Sequence, residues 1–277
     1  MGWRGYIHDD SKTVFFWSQK AACTTLFNFL ADNMPKRPGT KQFFHSESDS
    51  FRGCALALTE RRYRSVILAR HPATRVISAY FNKFCIYRGR KLLTRADLEP
   101  FSKELHDLYC AQTGADAEDN GMSFENFLAT IAHLHASRPR PENLINGHWE
   151  TQVPRFYKSV GIRYDFVVHV ERLDTEMTKV AQKLGLHYTP RIMNRTKLTE
   201  APVDGYLGQL PAREVSEMNF NYGNFITPDT LRSIHQIYDI DFKTLGYPLD
   251  PRLGVGATGW AGLWHRMRPA LSQLTGK

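Results

Sequence analysis

The spacing of apolar residues predicts strands that alternate with helices along most of the chain. Three short runs, residues 13–17, 66–69 and 166–170, are apolar at almost every position. Such runs are typical of strands that are buried on both faces of a parallel sheet. After each run, apolar residues recur at three- and four-residue intervals, as they do on one face of a helix. The pattern predicts an α/β fold in which a central parallel sheet is flanked by helices.

Capping signals predict where several of these helices begin and end. The expected opening residues or caps are Pro72, Ser123, Asp174 and Thr227. Gly185 is expected to stop the helix that Asp174 opens. Residues 88–122 are polar and without clear periodicity, so we expect an irregular excursion over the site there.

Two of the predicted strands end in polar turns that lead into helices. The first turn contains Lys20, Thr24 and Thr25 together with the backbone N–H groups of a helix N-terminus, an arrangement that suits a phosphate. The second places Arg70 at the end of its strand and Ser78 about two turns into the next helix. Two anion sites on one parallel sheet imply a ligand with two separated phosphates.

Four segments, in order along the chain, carry a resemblance to a known family. They are Lys20-Ala21-Ala22-Cys23-Thr24-Thr25, Arg70-His71-Pro72 with Ser78-Ala79-Tyr80, Asn146 to Gln152, and Tyr164 to Leu173. They resemble motifs of the sulfotransferases that use 3′-phosphoadenosine 5′-phosphosulfate (PAPS), and most closely those of the Golgi-type carbohydrate sulfotransferases. The resemblance covers roughly residues 13–247. It implies a P-loop-like three-layer fold, with a sulfotransferase domain that we place at 1–253. The apolar and basic residues of 254–277 indicate a separate C-terminal amphipathic segment.

The resemblance also implies roles for individual residues. Lys20 would neutralise charge on the oxygen that bridges sulfur to the leaving phosphate. The 5′-phosphate would be held by the turn and the first residues of its helix: Ala21, Ala22, Cys23, Thr24 and Thr25. Arg70 and Ser78 would hold the 3′-phosphate, and Arg195 would lie near the nucleotide. The mechanism needs no metal, and the product would be 3′-phosphoadenosine 5′-phosphate (PAP).

The residue that takes the proton of the acceptor hydroxyl is left open between two histidines. His45 lies between the two phosphate-binding segments, where related glycosaminoglycan sulfotransferases carry a catalytic His. His148, in the third segment, is the rival, and Glu47 is a further candidate. A histidine is suited to this task because its ordinary pKa lies near neutrality. His71 is expected to support the second turn.

Composition and charge narrow the alternatives. The formal charge of +8 favours anionic partners, and 42% hydrophobic residues exclude a disordered chain. A nucleotide kinase is disfavoured because no glycine lies between Gly5 and Gly39 and because Ala21 follows Lys20. Nucleic-acid binding is not expected, since the basic residues are scattered without a recognition motif. A relative that binds PAP without turnover stays an alternative. The expected acceptor is a hydroxyl of a glycan or glycolipid.

The sequence also bears on the location of the protein. No apolar run reaches the ~20 residues that span a bilayer, and no signal peptide is evident. We therefore expect a soluble cytoplasmic enzyme, with the soluble catalytic domain of a Golgi-type enzyme as the alternative. Residues 254–277 could form an amphipathic helix that touches a membrane surface or a partner, or a helix that packs on the body. The oligomeric state is not predicted.

Overall fold

The computed structural model describes residues 3–38, 42–138, 145–155, 163–190 and 201–253. Seven strands lie within these ranges: β1 Arg4–His8, β2 Thr13–Phe16, β3 Asp49–Ser50, β4 Arg64–Ala69, β5 Ile86–Tyr87, β6 Arg90–Lys91 and β7 Phe166–His169. Five of them form one sheet in the order β3-β1-β2-β4-β7, and β5 pairs with β6 in a separate hairpin.

The centre of the large sheet is parallel, as the apolar runs predict. Strand β2 pairs with β4, and β4 pairs with β7, in a register that aligns Phe15 with Val66 and Val66 with Phe166. Strands β1 and β3 extend one edge in the antiparallel direction. These two strands are not predicted, since β3 is only two residues long and β1 has no apolar run. The carboxyl ends of β2, β4 and β7 meet at one edge, where ligands bind in open α/β sheets.

Nine α-helices lie in the described ranges: α1 Cys23–Asp32, α2 Gln42–Ser46, α3 Phe51–Thr59, α4 Pro72–Tyr80, α5 Pro100–Thr113, α6 Phe124–Ser137, α7 Leu173–Leu184, α8 Ala212–Val215 and α9 Pro228–Leu245. A π-helical turn, Phe81–Cys85, extends α4 directly. Short 3-10 turns lie at Arg95–Asp97, Val170–Arg172, Tyr222–Phe225 and Pro251–Leu253.

Alternate strand residues point to opposite faces of the sheet and build two apolar cores. On one face, Phe15, Leu68 and Val168 pack with α1 and α7. On the other face, Phe16 and Ile67 pack with α3, α4, α6 and α9. Helices therefore cover both faces, and the predicted three-layer α/β fold is confirmed.

Most of the predicted helix boundaries agree with the structure. Ser123 caps α6 by accepting a hydrogen bond from Asn126 N–H (3.2 Å), and Thr227 caps α9 in the same way. Gly185 ends α7 in the left-handed conformation with a φ of 69°.

Two boundaries around β7 were predicted wrongly. The strand ends at His169, and Val170 begins a 3-10 turn instead of continuing the strand. Asp174 is not the cap of α7, because the helix already begins at Leu173. The Asp174 carboxylate accepts a hydrogen bond from the Tyr188 hydroxyl (2.7 Å), so a tertiary partner sets its position.

The prediction that residues 88–122 lack regular structure was also wrong. The region contains β6 and the 14-residue helix α5. Only a narrow stripe of α5 is buried, and two of its members, Ser102 and His106, are polar. A hydrophobic period is therefore hardly visible in the sequence, although Pro100 and Gly114 stand where a helix begins and ends.

Two predictions concern parts of the chain that the structure does not test. The C-terminal segment 254–277 lies outside the described residues, so the domain boundary and its membrane contact stay predictions. Among the residues that are described, no helix combines the length and apolarity that crossing a membrane requires.

Replacing Gly5 should destabilise the sheet edge. A Cβ atom at Gly5 would lie 2.9 Å from Cys54 Sγ and 3.0 Å from the Phe15 carbonyl oxygen. We expect Gly5→Ala to lower the free energy of unfolding by about 1–3 kcal/mol in urea denaturation. Gly53→Ala, in helix α3, is the control, because the added Cβ would lie at an ordinary contact distance, 3.5 Å, from its nearest neighbour, Ser50 Oγ. It should leave stability unchanged or raise it by up to about 1 kcal/mol. Equal losses in both variants would contradict the close contact at Gly5.

Candidate functional site

The turn between β2 and α1 has an unusual backbone. Lys20 and Ala22 have φ values of 68° and 55°, in the left-handed region that normally favours glycine. The turn is closed by hydrogen bonds from Ala21 N–H to the Ser18 carbonyl (3.2 Å) and from Thr25 N–H to the Ala22 carbonyl (2.9 Å). Non-glycine residues in this conformation often mark functional sites.

The same turn presents the N-terminus of α1. Ala22 stands at the cap position, has no side-chain oxygen to cap the helix, and the first turn contains no acidic residue. Cys23, Thr24 and Thr25 are the first three residues of the helix. No carboxylate in the first helical turn of α1 neutralises the positive end of the helix dipole. An anion could therefore bind there favourably.

Arg70 connects the second turn to the first. Its guanidinium donates to the Lys20 carbonyl (3.1 Å), to Thr74 Oγ1 (3.3 Å) and to the Tyr222 hydroxyl (2.8 Å). His71 then caps α4 by accepting a hydrogen bond from Ala73 N–H (3.2 Å). The structure therefore brings the two predicted anion-binding turns into direct contact.

Ser78 lies farther along α4 and is almost fully buried, with 2% of its surface exposed. Arg195 lies outside the described residues, so the structure does not place it.

A glutamine that the sequence analysis gave no role joins both turns. The Gln152 carboxamide oxygen accepts hydrogen bonds from Arg70 N–H (2.9 Å) and from Ser18 Oγ (3.3 Å). Its nitrogen donates to the Arg70 carbonyl (2.8 Å). The only signal in the sequence is that Gln152 ends the third family-like segment.

His148 is held with one ring nitrogen in a defined protonation state. Asn146 Oδ1 accepts the backbone N–H of His148 (3.0 Å) and lies 2.8 Å from its Nδ1. Because a backbone N–H can only donate, this atom of Asn146 is an acceptor, and Nδ1 must carry the proton. The lone pair is then on Nε2. The ring stacks on Phe101, with centroids 4.9 Å apart and planes 7° from parallel.

Burial and positive neighbours keep this imidazole neutral. They lower the pKa of His148 to about 3, with burial as the largest cause and the charges of Lys83, Lys20 and Arg75 adding to it. The effect of Lys20 places His148 within electrostatic reach of the first turn. Packing supports this, because a Cβ at Gly147 would lie 2.1 Å from Gln19 Oε1.

Lys20 lies in a cluster of positive charge. Burial, followed by the charges of Lys83 and Arg70, lowers the pKa of Lys20 to about 8. Lys83, which the sequence analysis missed, is buried in the π-helical turn and forms an ion pair with Glu99. Its signal in the sequence is a lysine in a short stretch that Phe81, Phe84 and Cys85 otherwise make largely apolar.

His45 lies on helix α2. Helix α2 exposes its side chain, whose ring meets Phe27 edge-on at 5.1 Å. Its carbonyl accepts a hydrogen bond from Ser48 (3.4 Å), and neighbouring Glu47 is exposed. The structure thus joins Lys20, Arg70 and His148 through contacts and electrostatics, whereas the described contacts of His45 are with Phe27 and Ser48. Within the described ranges, no group of three or more His, Cys, Asp or Glu residues is placed to hold a metal ion.

Comparison with known proteins identifies the class to which this fold and site belong. A model of the sulfotransferase family matches residues 3–248, so the chain belongs to that family and the resemblance of the four segments is confirmed. Carbohydrate sulfotransferase 12 of Mus musculus is 25% identical over 199 residues, covering 68% of this chain and 41% of that protein.

Carbohydrate sulfotransferase 11 of Mus musculus is 24% identical over 187 residues, covering 68% of this chain and 47% of the relative. The same enzyme of Rattus norvegicus is 23% identical over 187 residues, with the same coverage. The chain spans less than half the length of these curated relatives. No solved structure matches it with significance.

Removing the Lys20 charge should stabilise the protein. Its pKa of about 8 lies below the ordinary 10.5, so the native state binds fewer protons between these values and gains stability as the pH rises through them. At neutral pH Lys20 is protonated in both the native and the unfolded state, so the partly buried charge destabilises the native state to its full extent. Because Lys20 is partly exposed, we expect Lys20→Met to raise the free energy of unfolding at neutral pH by only about 1–2 kcal/mol.

That gain should shrink as the pH rises from about 8 to 10.5, the interval in which the native and unfolded Lys20 differ in protonation. Denaturant titrations across this range measure it. Lys12→Met is the matched control, since Lys12 is also left-handed, with a φ of 50°, but exposed. A gain of the same size in both variants would show that buried charge is not its cause.

Proposed function

We propose that this protein transfers the sulfo group of PAPS to a hydroxyl of a carbohydrate, in a glycan or glycolipid. One observation carries the proposal: the guanidinium of Arg70 donates to the carbonyl of Lys20, so the two anion-binding turns form one unit. A ligand with separated phosphates would span these turns. Membership of the sulfotransferase family and the names of the carbohydrate-acting relatives support the donor and the acceptor class.

The residues of the site fit a nucleotide with two phosphates. The left-handed backbone of Lys20 and Ala22 and the start of α1, with Cys23, Thr24 and Thr25, form a concave donor surface for the 5′-phosphate. Arg70 and Ser78 would hold the 3′-phosphate. When bound, PAPS supplies the activated sulfo group, and the protein supplies position and charge.

Two side chains would act on the reaction itself. His148 Nε2 would accept the proton of the acceptor hydroxyl, because Asn146 fixes the proton on Nδ1. Lys20 would stabilise the negative charge that develops on the leaving phosphate oxygen in a loose, in-line displacement. The geometry supports His148 over His45 as the base.

The low pKa of His148 is consistent with this role. In the free protein, burial and the charges of Lys83 and Lys20 disfavour the imidazolium. A bound anionic nucleotide would offset these charges and so raise the pKa of His148. The histidine would become a stronger base when the donor occupies the site.

Binding of PAP tests the two-phosphate site. We expect calorimetry to give micromolar affinity for the wild type, and Arg70→Ala to weaken binding about tenfold to a hundredfold, since a charge-assisted hydrogen bond contributes about 1.5–3 kcal/mol. Arg64→Ala is the matched control, because Arg64 is exposed at the opposite end of the same strand, β4. A folded wild type that does not bind PAP would refute the proposal, and equal effects of both substitutions would refute the role of Arg70.

Turnover tests the base. With labelled PAPS and a panel of glycans and glycolipids, His148→Ala should lower kcat by about 10²–10⁴-fold, as loss of a general base does. Its affinity for PAP should stay within about threefold of the wild type, a change of less than 1 kcal/mol. His45→Ala should keep kcat. If only His45→Ala loses turnover, the base is His45 and the assignment to His148 fails.

A further inference from the structure

The segment 146–153, called here the bridging segment, connects the candidate base to the two turns. It contains His148, and its Gln152 forms the hydrogen bonds to Ser18 and Arg70 described above. Two completely buried charged residues form hydrogen bonds with its backbone: Arg75 on α4 and Asp241 on α9.

Arg75 binds the backbone carbonyl groups in the first half of the bridging segment. The guanidinium donates to the carbonyl oxygens of Gly147 (3.4 Å), His148 (3.5 Å) and Glu150 (2.5 Å). The intervening carbonyl, that of Trp149, accepts a hydrogen bond from the Tyr238 hydroxyl (2.9 Å). Four successive carbonyls thus accept hydrogen bonds from Arg75 or Tyr238. The Arg75 guanidinium also lies 5.2 Å from the Tyr238 ring centroid.

Asp241 holds the second half by its N–H groups. Its Oδ1 accepts from the backbone N–H of Gln152 and of Val153, both at 2.9 Å. Its Oδ2 lies 3.4 Å from Nε2 of the Gln152 carboxamide, the same nitrogen that donates to the Arg70 carbonyl. The carboxylate therefore orients both the backbone and the side chain of Gln152.

Buried charges are a costly way to stabilise a fold, because desolvation offsets much of their mutual attraction. Both charges here act on the backbone of one short segment, the cation on its carbonyls and the anion on its N–H groups. Such an arrangement fixes the position of the segment more than it adds to the stability of the core.

We propose that Arg75 and Asp241 are positioning residues. Arg75 fixes the turn that carries His148, and Asp241 fixes the Gln152 carboxamide that aligns Arg70 with the first turn. The catalytic consequence rests on the proposed function, whereas the positioning itself is a property of the free protein and can be measured without an acceptor.

Nitrogen NMR of the histidine rings, in the 277-residue chain at neutral pH, tests the role of Arg75. The wild type should show His148 neutral, with its proton on Nδ1; His148→Gln assigns the signal. In Arg75→Lys and Arg75→Met we expect a mixture of His148 tautomers. The single ammonium of lysine cannot reproduce the several hydrogen bonds of the planar guanidinium, and methionine donates none. Arg232→Met, which removes an exposed arginine of α9, is the control.

Calorimetry with PAP tests the role of Asp241. In Asp241→Asn an amide nitrogen would replace Oδ2. This nitrogen is a hydrogen-bond donor and would face Gln152 Nε2, which is also a donor, so the hydrogen bond between them would be lost. We expect PAP binding to weaken about tenfold, which is the loss of about one hydrogen bond to a charged group. Asp239→Asn, two residues earlier on the same helix and partly exposed, should bind PAP as the wild type does.

The outcomes separate positioning from mere stability. If Arg75→Lys and Asp241→Asn unfold more easily but keep the wild-type tautomer of His148 and the wild-type affinity for PAP, the proposal is wrong. If Arg75→Met does not fold, Arg75→Lys decides. If the wild type does not bind PAP, the proposed function fails, while the NMR of His148 still tests the positioning by Arg75.

Discussion

The hydrogen bonds of the Gln152 carboxamide are the interaction on which the rest of the site depends. One amide accepts from Ser18 and from the Arg70 backbone and donates back to the Arg70 carbonyl. It therefore ties together the ends of two parallel strands and the segment that carries His148. Arg70 also contacts the Lys20 carbonyl directly, but Gln152 adds the side-chain link from these two turns to the segment that carries His148. With it, they form one surface, held against a sheet whose central strands are buried on both faces.

The site concentrates positive charge before any ligand is present. Burial, followed by the nearby charges of Lys83 and Arg70, lowers the pKa of Lys20 to about 8. The left-handed backbone of Lys20 adds strain. Both costs are borne by the free protein and would be offset by an anion. Such preorganised positive charge is what the proposed phosphate site would require.

Local signals in the sequence predicted the features that depend on local physics. The buried strands, the capping residues Ser123 and Thr227, and the turns with Lys20 and Arg70 are each specified within a few residues. Predictions failed where a distant partner decides the outcome. Asp174 is shifted into the first turn of α7, with Tyr188 as its partner. Helix α5 was missed because only a narrow and partly polar stripe of it is buried.

The fold class, the family and the position of the two candidate anion-binding turns could be predicted from the sequence alone, because consecutive residues carry these signals. The choice between the two candidate histidines, in contrast, depends on tertiary contacts that no short stretch of sequence encodes. Both His45 and His148 have the right chemistry, but the fold brings His148 within electrostatic reach of Lys20 and sets its Nδ1 proton through Asn146. The roles of Gln152, Arg75 and Asp241 were likewise invisible, since their partners lie far away in the chain and meet only when the layers pack.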